Sequence, residues 1–94
     1  MRLSADDTKK IIQIAQNHGA KSVSLFGSFA RGDAQPSSDI DILVEFESGR
    51  SLFDLIRLER ELRETFGMEV DVVTPNSLHP RIRARVMEEK VSVL

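Results

Sequence analysis

The chain has 94 residues and no cysteine, which excludes disulfide bonds and thiolate metal sites. Its formal net charge of −2 argues against a domain that binds the nucleic-acid backbone, because such domains are usually strongly basic. No apolar run approaches the ~20 residues that cross a bilayer, and the first residues lack the apolar stretch of a signal peptide. We therefore expect a single cytoplasmic domain over residues 1–94, without membrane contact or strong nucleic-acid binding.

The first half of the sequence predicts one helix followed by two strands. Ser4 and Asp7 form a helix N-cap pattern, and apolar residues follow at helical spacing. Residues 21–26 alternate polar and apolar side chains, which predicts a strand. A loop rich in Gly, Pro and Ser over residues 27–38 leads to a second strand over residues 39–46, DIDILVEF. The apolar side chains of that strand share one face and its acidic side chains share the other.

The second half predicts a helix over residues 51–66, a strand over 68–73, a helix over 79–90 and a short edge strand at its end. The first of these helices has an apolar stripe that we expect to be core: Leu52, Leu55, Ile56, Leu62 and Phe66. The connection from the second strand to the third predicts a parallel pair with a right-handed crossover. The fold class is therefore α/β (α+β), a small mixed sheet of three or four strands with helices packed on one face and the aspartates on the other.

Three aspartates are candidates for a catalytic metal site. Asp39 and Asp41 are two residues apart on a predicted strand, so their side chains project from one face about 6.6 Å apart along the chain. Unpaired carboxylates at such a spacing repel each other, and a divalent cation is the natural counter-charge. Asp71 lies on the next predicted strand with the same facing. Three carboxylates suit a site for two Mg²⁺ ions that clamp the attacking and leaving oxygens of an in-line displacement.

A candidate phosphate-binding segment follows the first strand. Gly27 allows the backbone to approach a phosphate closely, and the next amides, with the Ser28 hydroxyl, can bind an anion. Arg31 can contact phosphate, but it can equally pair with Asp33.

Residues 27–46, GSFARGDAQPSSDIDILVEF, resemble the signature of the DNA polymerase beta-like nucleotidyltransferase superfamily. The whole chain is similar in length and layout to the minimal nucleotidyltransferase (MNT) antitoxins of that superfamily. The resemblance implies a polymerase beta palm-like fold in which Gly27 and Ser28 bind the triphosphate. It also implies that Asp39 and Asp41 bind both metal ions and that Asp71 completes the site beside the attacking hydroxyl.

The same resemblance implies an Mg²⁺-dependent enzyme that transfers a nucleotidyl group, AMP from ATP or the equivalent from another NTP, to an acceptor hydroxyl. The implied acceptor is a partner HEPN-domain toxin, for which this chain is the antitoxin. One alternative is a non-catalytic antitoxin that neutralises a basic ribonuclease by binding alone. An antibiotic-modifying transferase is a further alternative, although it needs an acceptor-binding domain that 94 residues leave no room for. The nucleotide, the acceptor and the oligomeric state stay open.

Other charged residues have structural interpretations. His18 suits a helix end, where a cation complements the helix dipole, and His79 suits the start of the last helix. Three arginines at alternate positions are typical of a solvated helix face: Arg81, Arg83 and Arg85.

Overall fold

The computed structural model describes residues 2–94. Its elements, in chain order, are α1 (Ala5–Asn17), β1 (Ala20–Phe26), α2 (Gly27–Arg31), β2 (Ile40–Phe46), α3 (Leu52–Phe66), β3 (Val70–Val73), a 3₁₀ turn (Pro75–Ser77), α4 (Pro80–Glu89) and β4 (Val91–Ser92). Every predicted helix and strand is present, including the short strand at the end of the chain. The difference is α2, a five-residue helix inside the segment that we predicted to be a loop.

The four strands form one mixed sheet in the order β3-β2-β1-β4. β1 is antiparallel to β2 and to β4, whereas β2 and β3 are parallel. The parallel pair is the one that the helical crossover through α3 predicts. The predicted fold class, a small α/β domain with a mixed sheet, is confirmed.

Local hydrogen bonds define where the two long helices begin. The Ser4 hydroxyl accepts from the Asp7 amide at 3.0 Å, and the Asp7 carboxylate accepts from the Ser4 amide at 3.0 Å. Ser51 and Asp54 form the same reciprocal capping box on α3. Each box satisfies two amides that lack a helical partner, and an N-cap of this kind contributes about 1 kcal/mol.

Helices α1 and α3 cover one face of the sheet and bury its apolar side chains. The largest fully buried side chains are Ile11, Ile40, Ile42, Leu58, Leu62, Val23, Val44 and Val70. The predicted core stripe of α3 was wrong at two positions, because Leu52 and Ile56 are 69% and 45% exposed. The buried face of the helix is centred on Leu58 and Leu62 instead, which lie on the opposite side from Ile56.

The second face of the sheet carries the aspartates and is partly covered. Ser24 and Leu43 are paired neighbours on this face, and both are buried. The 3₁₀ turn contacts β2, and α4 contacts α2. The aspartates lie beyond this covered part, toward the N-terminal end of β2. Among residues 2–94, no helix is long and apolar enough to cross a membrane.

Candidate active site

The register of the sheet brings two of the predicted aspartates side by side. Asp41 on β2 is paired with Asp71 on the parallel strand β3. Matching positions on adjacent strands are about 4.8 Å apart and point to the same face. Asp39 precedes β2 by one residue, and alternation places it on the same face as Asp41. The structure therefore brings all three predicted carboxylates to one end of the sheet.

The electrostatic field at Asp41 reflects this clustering. Partial burial, and then the negative charges of Asp71 and Asp39, raise the pKa of Asp41 from 3.8 to about 6, while the Arg31 guanidinium opposes the rise. A carboxyl group whose charged form is destabilised in this way gains from a bound cation. Among the described residues, Asp41 is the carboxyl group whose pKa is raised most strongly.

The pKa of Asp71 is also raised. The loss of solvation is the largest cause, followed by the charges of Asp39 and Glu59, while Arg63 opposes the shift. Asp71 is more exposed than Asp41, so a substrate can reach its carboxylate directly.

The backbone at Gly27 contacts Asp41 on the side of β2 opposite to Asp71. Phe26 is the partner of Asp41 on β1, so Gly27 follows one residue beyond that pair. Its φ angle is +69°, and a Cβ atom at this position would overlap Asp41 Oδ2 and lie 3.2 Å from Asp41 Cγ. Only glycine fits this conformation and this space without strain.

The segment after Gly27 has the features expected of a phosphate-binding turn. Gly27 and Ser28 are the first two residues of α2, and no side chain caps the amino end of that helix. Uncapped amides at the start of a helix are suitable donors to phosphate oxygens. The buried Phe29 anchors the turn to the core.

Arg31, the third residue predicted to bind nucleotide, is held by carboxylates of its own chain. Its Nε donates to Asp33 Oδ2 at 3.2 Å, and its Nη1 lies 3.8 Å from Glu89 Oε2. The alternative pairing with Asp33 is therefore present. Arg31 is still close enough to Asp41 to oppose the rise of its pKa, and its role in nucleotide binding stays a prediction.

Two residues next to the site were not identified from the sequence. Glu59 Oε2 on α3 accepts a hydrogen bond from the Val72 amide at 3.0 Å, and Glu59 Oε1 lies 2.8 Å from Arg63 Nη2. This contact ties α3 to the backbone of β3 directly beside Asp71. The helical spacing of Glu59 and Arg63 predicts their ion pair, but nothing in the sequence places that pair against β3.

The two histidines and Arg83 occupy structural positions. His18 ends α1 and its Nε2 lies 2.9 Å from Glu61 Oε1. His79 caps α4, because its Nδ1 accepts from the Arg81 amide at 3.3 Å. Arg83 donates to the carbonyl oxygens of Pro75 and Leu78, which fixes the 3₁₀ turn to α4.

The carboxylates fit Mg²⁺ as a donor set, although the protein does not supply a complete metal cage. In the part of the chain that the structure describes, no group of three or more His, Cys, Asp or Glu side chains is arranged to hold a metal ion by itself. Mg²⁺ is usually held by one or two carboxylates together with substrate phosphates and water. The oxygen donors and the raised pKa of Asp41 suit a metal that binds together with a nucleotide.

Comparison with known proteins agrees with this arrangement. Residues 8–93 match the nucleotidyltransferase domain family. The chain belongs to that family. It is a nucleotidyltransferase, and the predicted resemblance is confirmed.

The most similar relatives share most of their length with this nucleotidyltransferase. A Methanocaldococcus jannaschii protein, provisionally named a protein adenylyltransferase, is 55% identical over 92% of each chain. Protein adenylyltransferase MntA of Thermococcus cleftensis is 40% identical over 86% of this chain and 82% of its own. A solved structure provisionally described as a minimal nucleotidyltransferase is 41% identical, with a TM-score of 0.82 over 92% of this chain and 88% of that chain.

More distant solved structures share the fold alone. A toxin–antitoxin structure with AMP-PNP has a TM-score of 0.82 at 23% identity, over 94% of this chain and 73% of that chain. A complex of tri-AMPylated Shewanella oneidensis HEPN toxin with MNT antitoxin has a TM-score of 0.72 at 21% identity, over 93% of this chain and 68% of that chain.

Proposed function

We propose that this nucleotidyltransferase transfers AMP from ATP to a hydroxyl group of a partner protein and depends on two Mg²⁺ ions. The observation that carries the proposal is the position of Asp41, which is in register with Asp71 on one side and against the backbone of Gly27 on the other. A carboxylate pair next to a glycine turn suits a metal–triphosphate complex, because carboxylates bind Mg²⁺ and free backbone amides bind phosphate. The protein adenylyltransferase names of the close relatives support AMP as the group and a protein as the acceptor.

Each predicted residue has a role in this proposal. Gly27 and Ser28 bind the triphosphate, and Asp39, Asp41 and Asp71 hold the metal ions. When bound, Mg²⁺ offsets phosphate charge and stabilises the negative charge that develops in the transition state. Arg31 contributes positive charge near Asp41 and contacts phosphate if it exchanges its carboxylate partners for the nucleotide.

The reaction is a displacement at the α-phosphorus. The acceptor oxygen forms a bond to this phosphorus, the bond to the β-phosphate oxygen breaks, and pyrophosphate leaves. An Asp71 carboxylate oxygen accepts the proton of the acceptor hydroxyl. Asp71 suits this role because it is exposed beside Asp41, where an acceptor hydroxyl can reach its carboxylate.

The proposed partner is a HEPN-type toxin, for which this chain acts as the antitoxin in the cytoplasm. Structural neighbours that are MNT antitoxins in complex with HEPN toxin support the partner, and the AMPylated state of one toxin supports the reaction. The single minimal nucleotidyltransferase domain over residues 1–94 remains part of the proposal.

The test is covalent transfer to the protein encoded beside the gene of this chain, which the proposal expects to be a HEPN-type toxin. We expect α-labelled ATP and Mg²⁺ to label that protein in the presence of the wild type and not of Asp41→Asn. Asp6→Asn is the matched control, because Asp6 is an exposed aspartate in the first turn of α1. If the partner is neutralised without becoming labelled, and if one equivalent of either the wild type or Asp41→Asn is needed, the chain is a non-catalytic antitoxin instead.

A further inference from the structure

The outer face of α3 exposes apolar side chains that the fold does not use. Phe53 is 68% exposed, and Leu52 and Ile56 beside it are also exposed. Together with Arg57 and Arg60 they form what we call the α3 stripe. Large apolar side chains that cluster on a surface commonly mark a site of protein association.

The spacing of the α3 stripe matches a surface onto which another helix packs. Phe53, Ile56, Arg57 and Arg60 follow one another at i, i+3, i+4 and i+7, so they share one side of the helix. This side is opposite the buried Leu58 and Leu62. One apolar side of α3 packs in the core of this domain, and the other apolar side is available to a partner.

The α3 stripe continues into a groove. Leu52 forms part of the wall of a groove of about 300 Å³, together with Phe46, Leu55 and Thr74. An incoming helix that packs on Phe53 and Ile56 can therefore place one side chain in this groove.

The charges of the α3 stripe indicate the chemistry of its partner. Arg57 and Arg60 are exposed, and neither is within ion-pair distance of a carboxylate in residues 2–94, although the charge of Arg57 helps to lower the pKa of Asp54. The neighbouring Arg50 and Arg63, in contrast, each contact carboxylates of this chain. Two exposed guanidinium groups beside apolar side chains complement a helix that carries apolar residues and carboxylates on one side.

A second copy of this chain is a poorer match than a different protein. Asp54 and Glu59 are already paired with Arg50 and Arg63. The free carboxylate on this side of α3 is that of Glu64, which is exposed and four residues after Arg60. Two copies joined through this surface would therefore bring two free carboxylates to four arginines and leave two of the arginines unpaired.

The position of the α3 stripe leaves the candidate active site accessible. The stripe lies on the side of α3 that points away from the sheet, whereas Asp41 and Asp71 lie on the other face of the sheet. A helix bound to the stripe therefore does not cover the aspartates. We propose that the α3 stripe docks an acidic amphipathic helix of the acceptor protein while a separate segment of the acceptor passes the edge of the sheet and brings its hydroxyl to Asp71. This proposal rests on the proposed function.

The experiment pairs each stripe variant with a matched variant on α4. Phe53→Ser is compared with Ile82→Ser, because both side chains are apolar and exposed. Arg60→Glu is compared with Arg81→Glu, because both arginines are exposed on helices. The probe is the protein encoded beside the gene, the proposed HEPN-type toxin, and the measurements are its Kd by calorimetry and its KM in AMP transfer.

We expect Phe53→Ser and Arg60→Glu each to raise the Kd and the acceptor KM about tenfold or more, without a change in the KM for ATP. The α4 variants should bind as the wild type does, and Arg60→Lys should retain most of the affinity. Thermal melts of all variants identify any loss of binding that comes from unfolding of the variant.

Equal affinity of all folded variants would overturn the docking surface, even if transfer proceeds normally. A wild type that is dimeric in sedimentation and becomes monomeric with Phe53→Ser would overturn it as well, because the occupant would then be a second copy. Binding that depends on the α3 stripe without any AMP transfer would support the docking surface and refute the proposed function.

Discussion

Replacing Gly27 with alanine adds one methyl group at the point where the backbone touches Asp41. The φ angle of +69° makes any L-residue unfavourable there, at a cost of about 1–2 kcal/mol. The new Cβ would also overlap Asp41 Oδ2, so the carboxylate must rotate away from its position beside Asp71. A displacement of about 1 Å in a reacting group can reduce a rate by about 100-fold. We therefore expect a moderate loss of stability and a loss of transfer of at least that size.

The assay compares Gly27→Ala with Gly67→Ala. Gly67 has a similar φ of +62°, but a Cβ there meets nothing within 4 Å. Urea titration should give both variants a similar backbone cost, while only Gly27→Ala should lose transfer of labelled AMP. If Gly27→Ala transfers AMP as fast as Gly67→Ala does, the contact between the glycine turn and Asp41 has no role in the reaction.

Three further predictions concern stability. Because the pKa of Asp41 is 3.8 in its ordinary state and about 6 in the fold, the folded protein binds more protons between these values. The free energy of unfolding of the metal-free protein should thus fall as the pH rises through this window. Each pKa unit corresponds to about 1.4 kcal/mol, which solvent screening at a half-exposed group reduces to a total of about 1 kcal/mol. Urea titrations should show that Asp41→Asn reduces this slope, to which Asp71 also contributes because its pKa is raised too, and an equal slope in the variant would contradict the assignment. Mg²⁺ with ATP at about 100 times the Kd should stabilise the native state by about 2.7 kcal/mol, visible as a higher Tm that Asp41→Asn abolishes. A wild-type Tm that does not respond would argue against the metal–nucleotide site. Finally, Glu59→Ala should lower the free energy of unfolding by about 1–2 kcal/mol, because it leaves the Val72 amide without its acceptor. Glu64→Ala, at an exposed position of the same helix, should change little, and equal losses would show that the contact adds no stability.

The sequence predicted the elements of the fold well because their signals are local. The capping boxes at Ser4 and Ser51 each lie within four consecutive residues, and the alternation of DIDILVEF is a property of a single strand. The short helix α2 was not predicted, because a helix of five residues has little stability of its own and depends on tertiary packing, here the burial of Phe29.

Features that depend on how elements meet were harder to predict. The apolar spacing of α3 shows that the helix has a buried side, but that side is centred on Leu58 and Leu62, and Leu52 and Ile56 lie away from it and are exposed. The same limit holds for the site. Asp39, Asp41 and Asp71 were identified as a set, but the register that places Asp41 beside Asp71 is a property of the assembled sheet. The contact from Glu59 to Val72 depends on the same assembly.

The Glu59 contact also affects whether a strand of another chain can pair with the edge of the sheet. β3 is an outermost strand, and its outward amides are possible templates for strand addition by another chain or for aggregation. The Glu59 carboxylate occupies one of these amides at Val72, in the middle of the strand. At the opposite edge of the sheet, β4 is only two residues long and offers little backbone for another strand to pair with. Neither edge strand therefore favours the addition of a strand from another protein. We expect a partner of this protein to bind through side-chain contacts instead.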